Sequence, residues 1–438
     1  MVMASINYPQ IKMYWESSWR IPLIADAMTR DRFYQIRTRL KVVYDDAVTE
    51  ELRTQDRIWK VRPLFDRILK GCHTQERTVN LSIDEMIIPF SGHCNIRQYC
   101  PKKPNPVGLK VFVLANPGGL ICDMTVYQGE TTFKSYREEG FSLGEAAILQ
   151  MTESLVPGHY LFFDRYFSSI KLMEELLKRG FNATGTIMKN RYQRHVTMTP
   201  DNNFIKKNRG ASEVACLNSG RVAITRWLDN KPVVMISTCY ANNNTDLCKR
   251  WDKRRKRYVQ VTRPEVIKEY NQNMGGVDFA DRMLSVCPSR SRTRKWTIRF
   301  IYHMIDICVV NSWFLFRGTQ IKKNIPSHKI PQLREYKLRL GTKLIEDNVL
   351  PQEEPVLNEE HGFLQIQHLK RSVPITPMPT VNKRMNRADH MPKIVDKRQR
   401  CRNNACGFKT DVVCNNCNIY LCLTKSRNCF ASFHGHNM

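Results

Sequence analysis

At Thr78 the hydrophobic period of this chain changes from that of a helix to that of a strand, and the order of elements that follows leaves few folds open. Val79, Leu81 and Ile83 alternate with Asn80, Ser82 and Asp84, the pattern of a strand with one buried face. Leu109 to Ala115 predicts a second strand, Pro117-Gly118-Gly119 a hairpin turn, and Leu120 to Tyr127 a third strand. Ser142 to Leu155 has helical spacing. His159 to Asp164 is a short apolar run ending on an acid, which suits a strand buried on both faces. Ser168 is placed to cap the next helix, with Ile170, Met173 and Leu177 on one face and Gly180 as its stop. Asn182 to Ile187 predicts one more strand.

Three antiparallel strands, a helix, a strand, a helix and a strand is the order of an RNase H-like α/β fold. Around that core the chain divides by composition. Residues 1–78 read as a helical flank for dimerisation or DNA binding, with Phe33, Ile36, Leu40 and Val43 at helical spacing. Residues 79–187 hold the first part of the core, and 188–262 a β-rich insertion. Residues 263–345 hold the last part, with helices predicted from Pro264, after Gly275-Gly276, and from Trp296 to Phe316. Residues 346–400 read as a linker, acidic then basic, and 401–438 as a cysteine-rich domain.

Lys and Arg number 69 against 41 Asp and Glu, a net charge of +28, which points to a polyanionic partner. The most apolar stretch, Ile298 to Phe316, carries Arg299, His303, Asp306 and Asn311, so no membrane partner is expected. The first residues lack the basic flank and apolar run of a secretory signal. A reducing compartment is therefore expected, with the 15 cysteines not forming a disulfide framework.

Asp84 and Asp164 end predicted strands. Asp278 opens a helix, and Asp281 follows on the same face. In an RNase H-like fold such strand ends and a late helix bring carboxylates together. Phosphodiester chemistry needs that cluster, because hard divalent cations such as Mg2+ or Mn2+ take carboxylate oxygen. Two basic runs could face DNA. Lys249 to Arg263 holds eight bases, Lys253, Arg254, Arg255, Lys256 and Arg257 among them, with Trp251 and Tyr258 interleaved. Ser289 to Arg299 includes Arg294, Lys295 and Trp296, the last of which also suits a core position. Lys383-Arg384 and Lys397-Arg398 have bipartite nuclear-signal spacing, so a nuclear location is expected. In the tail, Cys401, Cys406, Cys414, Cys417, Cys422, Cys429, His434 and His436 are eight ligands, enough for two tetrahedral Zn2+ sites. So short a segment would need metal to fold.

The stretch SIDEMIIPFSGHCNIRQYCPKKPNPVGLKVF resembles the first catalytic block of piggyBac-family transposases. YLFFDRYFSSIKLMEELLKRGFNATGTI resembles the second. YNQNMGGVDFADRML, followed by SRTRKWTIRFIYHMIDICVVNS, resembles the third. The acids fall in the family's order, 80 and 114 residues apart. The resemblance implies a metal-dependent cut-and-paste DNA transposase with Asp84, Asp164 and Asp278 as its triad and Asp281 beside it. It implies cleavage at double-stranded transposon ends through a hairpin, strand transfer into TTAA, and a homodimer. It also implies a role near DNA for Trp296 and a cross-brace zinc module that binds transposon ends. In a cross-brace the first and third ligand pairs share one metal, and the second and fourth the other. Two features depart from the family pattern: Arg165 stands where Asn is usual, and no long acidic segment precedes the first block. A host-adopted copy that binds DNA or chromatin without transposing is the alternative expectation.

Overall fold

The computed structural model describes residues 1–349 apart from 102, 218–219, 243 and 290–292, and residues 378–435 apart from 386–389 and 404–405. The chain divides into two compact units: Lys41–Arg334, and Met1–Leu40 with Glu335–Met438.

The larger unit is built on one sheet. Helix α1 (Arg62–His73) leads into β1 (Asn80–Pro89), β2 (Arg97–Tyr99), β3 (Val107–Ala115) and β4 (Ile121–Val126). Helix α2 (Leu143–Thr152), β5 (Tyr160–Phe163), α3 (Ile170–Lys178) and β6 (Asn182–Thr186) follow. Strands β1, β3 and β4 pair antiparallel, and β5 and β6 join parallel on the other side of β1. The order β4-β3-β1-β5-β6 is that of an RNase H-like sheet, as the strand pattern predicts. The turn is made as expected: Asn116 donates to Leu120 O at 2.9 Å, and Gly119 takes a φ of +93° that favours glycine.

The β-rich insertion does not stand apart. Its strands β7 (Ser212–Cys216), β8 (Ala223–Leu228) and β9 (Pro232–Ser237) extend the same sheet through β9 against β6. Only β10 (Thr245–Asp252) and β11 (Arg257–Pro264) leave it, as a two-stranded ribbon.

One face of the sheet is covered by α2 and α3. Leu81, Ile83, Phe112, Leu114 and Phe163 pack there with Ile148, Leu149, Leu172, Met173 and Leu176, all fully buried. Each such side chain contributes about 1.5–3 kcal/mol by leaving water. The helices α4 (Glu265–Asn273), α5 (Gly276–Val286) and α6 (Trp296–Lys322) complete the unit. By length and composition α6 could cross a membrane, yet 67% of its most apolar window is buried inside the protein. Its polar groups have work in a core: Asn311 accepts from Ile121 N at 3.0 Å and donates to Ile121 O at 2.9 Å, satisfying the edge strand β4.

In the smaller unit Val2, Tyr14 and Ile24 form a core with Leu338 and Ile345 of α7 (Leu333–Val349). Strands β12 (Pro392–Arg400) and β13 (Lys409–Cys414) pair antiparallel, so regular structure falls inside a stretch whose composition reads as linker.

Two local expectations need correction. The cap of α3 is Ser169, whose hydroxyl accepts from Leu172 N at 3.1 Å; Ser168 instead donates to Asp164 O at 3.0 Å. The helix Arg30–Arg39 forms over the predicted periodic segment but buries none of its residues, leaving Ile36 and Leu40 41% and 36% exposed.

Candidate active site and metal centres

The register of β1 and β5 pairs Asn80 with Tyr160 through Ile83 with Phe163. Asp84, expected at a strand end, lies instead in the middle of β1, and Asp164 directly follows the last residue of β5, so the register continued by one residue brings the two acids side by side. The third acid comes from α5, which crosses β1 closely. A Cβ at Gly276 would run into Asn116 O and Ser82 Oγ, so only glycine permits that approach. Two residues on, Asp278 enters the first turn of α5, with Asp281 one turn later.

The carboxylates share a field. Asp84 is buried and its carboxyl is pushed up to about 8, first by burial, with Lys103 opposing and the charges of Glu85 and Asp164 adding to it. Burial is also the main force raising Asp164, and the charge of Glu85 adds to it. Asp281 is raised by burial, with Lys103 opposing and Asp278 adding. The half-buried Tyr270 of α4 faces Asp164, Asp84 and Asp278, and burial raises its phenol. Two of the carboxylates are held by neighbouring backbone: Asp84 Oδ1 accepts from Glu85 N and Asp164 Oδ1 from Tyr166 N, both at 2.8 Å. The donor set suits a hard divalent cation. Among the described residues, no three of these carboxylates lie within 4.8 Å of one another, a spacing that two Cys/His groups do reach.

Those groups lie in the C-terminal segment. Cys401, Cys406, Cys422 and Cys429 form one; His390, Cys414, Cys417 and His434 form the other. Each is a four-ligand set of the chemistry that suits tetrahedral zinc. The first is the pairing implied by a cross-brace. In the second, His390 stands as the fourth ligand, and His436 lies outside the described residues. His390 lies 3.3 Å from Cys414 Sγ and 3.5 Å from Cys417 Sγ through Nδ1, while its Nε2 meets Lys383 O at 2.9 Å. His434 Nδ1 meets Arg384 O at 2.9 Å. Main-chain carbonyls at the back of both rings fix which nitrogen faces the site. Burial pushes Cys417 up to about 12, aided by Cys414, and Cys422 up to about 12, aided by Cys406.

Of the basic residues, Lys253, Arg254, Arg255, Lys256 and Arg257 are all exposed at the tip of the β10–β11 ribbon. Asp252 Oδ1 builds the turn by accepting from Arg254 N at 2.9 Å and Arg255 N at 3.1 Å. Trp251 and Tyr258 pair across the ribbon with rings 5.2 Å apart, 47% and 68% exposed. Arg294 and Lys295 are exposed, while Trp296 is half-buried with its ring edge-on to Phe300 at 6.3 Å. Arg299 is structural: it donates to Pro89 O at 3.0 Å and Ser289 O at 3.3 Å, tying the second basic run to the end of β1.

Sequence reasoning misses Glu85, Lys103, Tyr270 and His390. The alternation that identifies β1 assigns Glu85 to the face opposite Asp84, and Lys103 sits in a loop with no periodic signal. His390 lies eleven residues before the first clustered cysteine. A search for His upstream of Cys401 could have found it.

A family model described as Transposase IS4 matches residues 1–313. Two human proteins are similar: PiggyBac transposable element-derived protein 3, 32% identical over 319 residues, and PiggyBac transposable element-derived protein 2, 30% identical over 322. Each match covers 71% of this chain, and 52% and 53% of the relatives, so the chain spans about half the length of the curated relatives it matches. Among solved structures, a cryo-electron microscopy structure of the piggyBac transposase synaptic complex with hairpin DNA has a TM-score of 0.65. It is 22% identical, with 96% of this chain and 85% of that one covered. With the strand order and the family match over most of its length, this chain belongs to the piggyBac-type transposases of the IS4 family.

Proposed function

We propose that this protein is a DNA transposase that cuts at transposon ends and joins them to TTAA targets. The observation that carries the reading is the convergence of Asp84, Asp164, Asp278 and Asp281 in a chain of net charge +28. Asp84, Asp164 and Asp278 would hold Mg2+ or Mn2+, with Asp281 beside them. A divalent ion supplies the Lewis acidity that phosphodiester chemistry requires. The protein's own residues fix Asp84 within β1, Asp164 just after β5 and Asp278 at the start of α5. The surrounding positive charge draws the DNA backbone toward an otherwise acidic site.

The ribbon supports DNA binding: a two-stranded β-ribbon fits the major groove, and its tip bases neutralise phosphates. Arg294, Lys295 and Trp296 would add a second contact. The two Cys/His groups would hold two Zn2+ and fold a module that reads the transposon end. The exposed Ile36 and Leu40 suit a contact between two copies of the chain in a homodimer. The basic pairs Lys383-Arg384 and Lys397-Arg398 fit action in the nucleus.

A second reading, DNA or chromatin binding without transposition, is favoured by the two human relatives, whose names describe them as transposable element-derived. The deciding experiment supplies the full chain with Mn2+ and DNA carrying the inverted repeats that flank its gene, and sequences the joints. Insertions at TTAA support the transposase. Specific binding to the repeats without cleavage or joining supports the second reading.

The ribbon is tested through salt. Log affinity for duplex DNA is expected to fall with log salt by about 0.9 per phosphate neutralised. Replacing Lys253, Arg254, Arg255, Lys256 and Arg257 together by Gln should flatten the slope by roughly 3–4. An unchanged slope would mean that the ribbon tip stays in solvent.

A further inference from the structure

Strand β5 stops at Phe163 while β1 runs on to Pro89, so part of the β1 edge has no parallel neighbour. Tyr160 N donates to Val79 O at 2.8 Å, and by the two-residue period of a strand the carbonyl of Glu85 points to that same edge. The donor that meets it is a side chain: Lys103 Nζ lies 3.1 Å from Glu85 O. The same ammonium lies 3.6 Å from Glu85 Oε1 and 3.9 Å from Asp84 Oδ2, and its charge also faces Asp278 and Asp281. The loop that carries it is closed by Cys100 N donating to Pro106 O at 2.7 Å. A cation therefore sits on a short tether among four carboxylates that would otherwise repel one another.

We propose that Lys103 is a built-in counter-cation of the acid cluster, which holds these carboxylates in place and competes with a divalent ion for Asp84. The inference rests on the reading that the acids bind metal. Two cations sharing one carboxylate repel each other, so metal binding must push the ammonium aside. Lys103 is thus a positioning residue: it sets how tightly the site takes metal and keeps the acids together before it does.

The test is equilibrium Mn2+ binding to the zinc-saturated full chain, without DNA and without turnover. Lys103→Gln keeps a donor for Glu85 O and removes the charge. It should bind Mn2+ about tenfold tighter, by the loss of one nearby repulsion. Its unfolding temperature without Mn2+ should fall, and should rise more steeply than wild type as Mn2+ is added. Lys103→Arg keeps the charge and should match wild type. Unchanged or weaker Mn2+ affinity in Lys103→Gln overturns the proposal. If Lys103→Gln does not fold, Lys103→Arg decides alone: wild-type Mn2+ affinity and stability support a role of charge, and loss of either overturns it. Asp84→Asn in the same titration separates the two ideas. If it leaves Mn2+ affinity untouched, the metal-site reading fails. If it abolishes binding while Lys103→Gln gains nothing, only the role of Lys103 fails.

Discussion

Asp84→Asn, Asp164→Asn and Asp278→Asn proteins are each expected to bind transposon-end DNA and fail to cut it. The change is nearly isosteric, so the sheet and α5 should keep their packing, while each loses an anionic ligand for a hard cation. Strand cleavage should drop on the order of a thousandfold or more, because the electrostatic stabilisation of the reacting phosphate goes with the metal. DNA affinity should hold, since the basic residues that neutralise phosphates are unchanged. Cleavage and gel-shift assays on the same preparations check this. A variant that cuts at the wild-type rate would remove that residue from the site. The pH dependence has a definite sign. Burial pushes the Asp84 carboxyl up to about 8, so below that pH a divalent ion must displace a proton. Metal affinity should therefore weaken as pH falls from 8 to 6, by about tenfold per unit. A flat Mn2+ affinity across that range would show that Asp84 is already ionised in the protein.

Stripping zinc is expected to unfold the segment that contains residues 390–434 and to leave residues 41–334 folded. The clustered side chains of the segment bury a small core, with Val412, Ile419, Leu421, Phe430 and Phe433 as its main apolar members. That is too little to offset the ordering of some forty residues, and zinc binding contributes on the order of 10 kcal/mol. Metal analysis should find two zinc per full chain. His390→Ala and Cys414→Ser should each cost one, and His436→Ala should cost none, since four ligands converge without it. Cys417 and Cys422, each pushed up to about 12, carry their protons at neutral pH until metal displaces them. Zinc affinity should accordingly fall with falling pH. Hydrogen exchange read along the chain with and without chelator locates the loss. Protection that survives chelation over 390–434 would mean that the segment folds without metal.

The sequence by itself determined the order of strands and helices, because a strand with one wet face must alternate and a helix must repeat every three to four residues. The positions of Asp164 and Asp278 were legible for the same reason: each sits where an element ends or begins, a place that local pattern marks, whereas Asp84, expected at a strand end, lies within β1. The cysteines were legible by density, and the cross-brace grouping of Cys401, Cys406, Cys422 and Cys429 by resemblance. Only the tertiary structure decided the rest. The insertion strands β7–β9 continue the main sheet because the open edge of β6 can pair with β9, a long-range hydrogen-bonding choice with no local signature. Gly276 is needed because α5 approaches β1, which no property of the Gly275-Gly276 pair announces. His390 completes a ligand set across 24 residues from Cys414, and Lys103 reaches acids that come from two separate elements, β1 and α5. Periodicity records which face of an element is buried; it does not record what another element brings to that face.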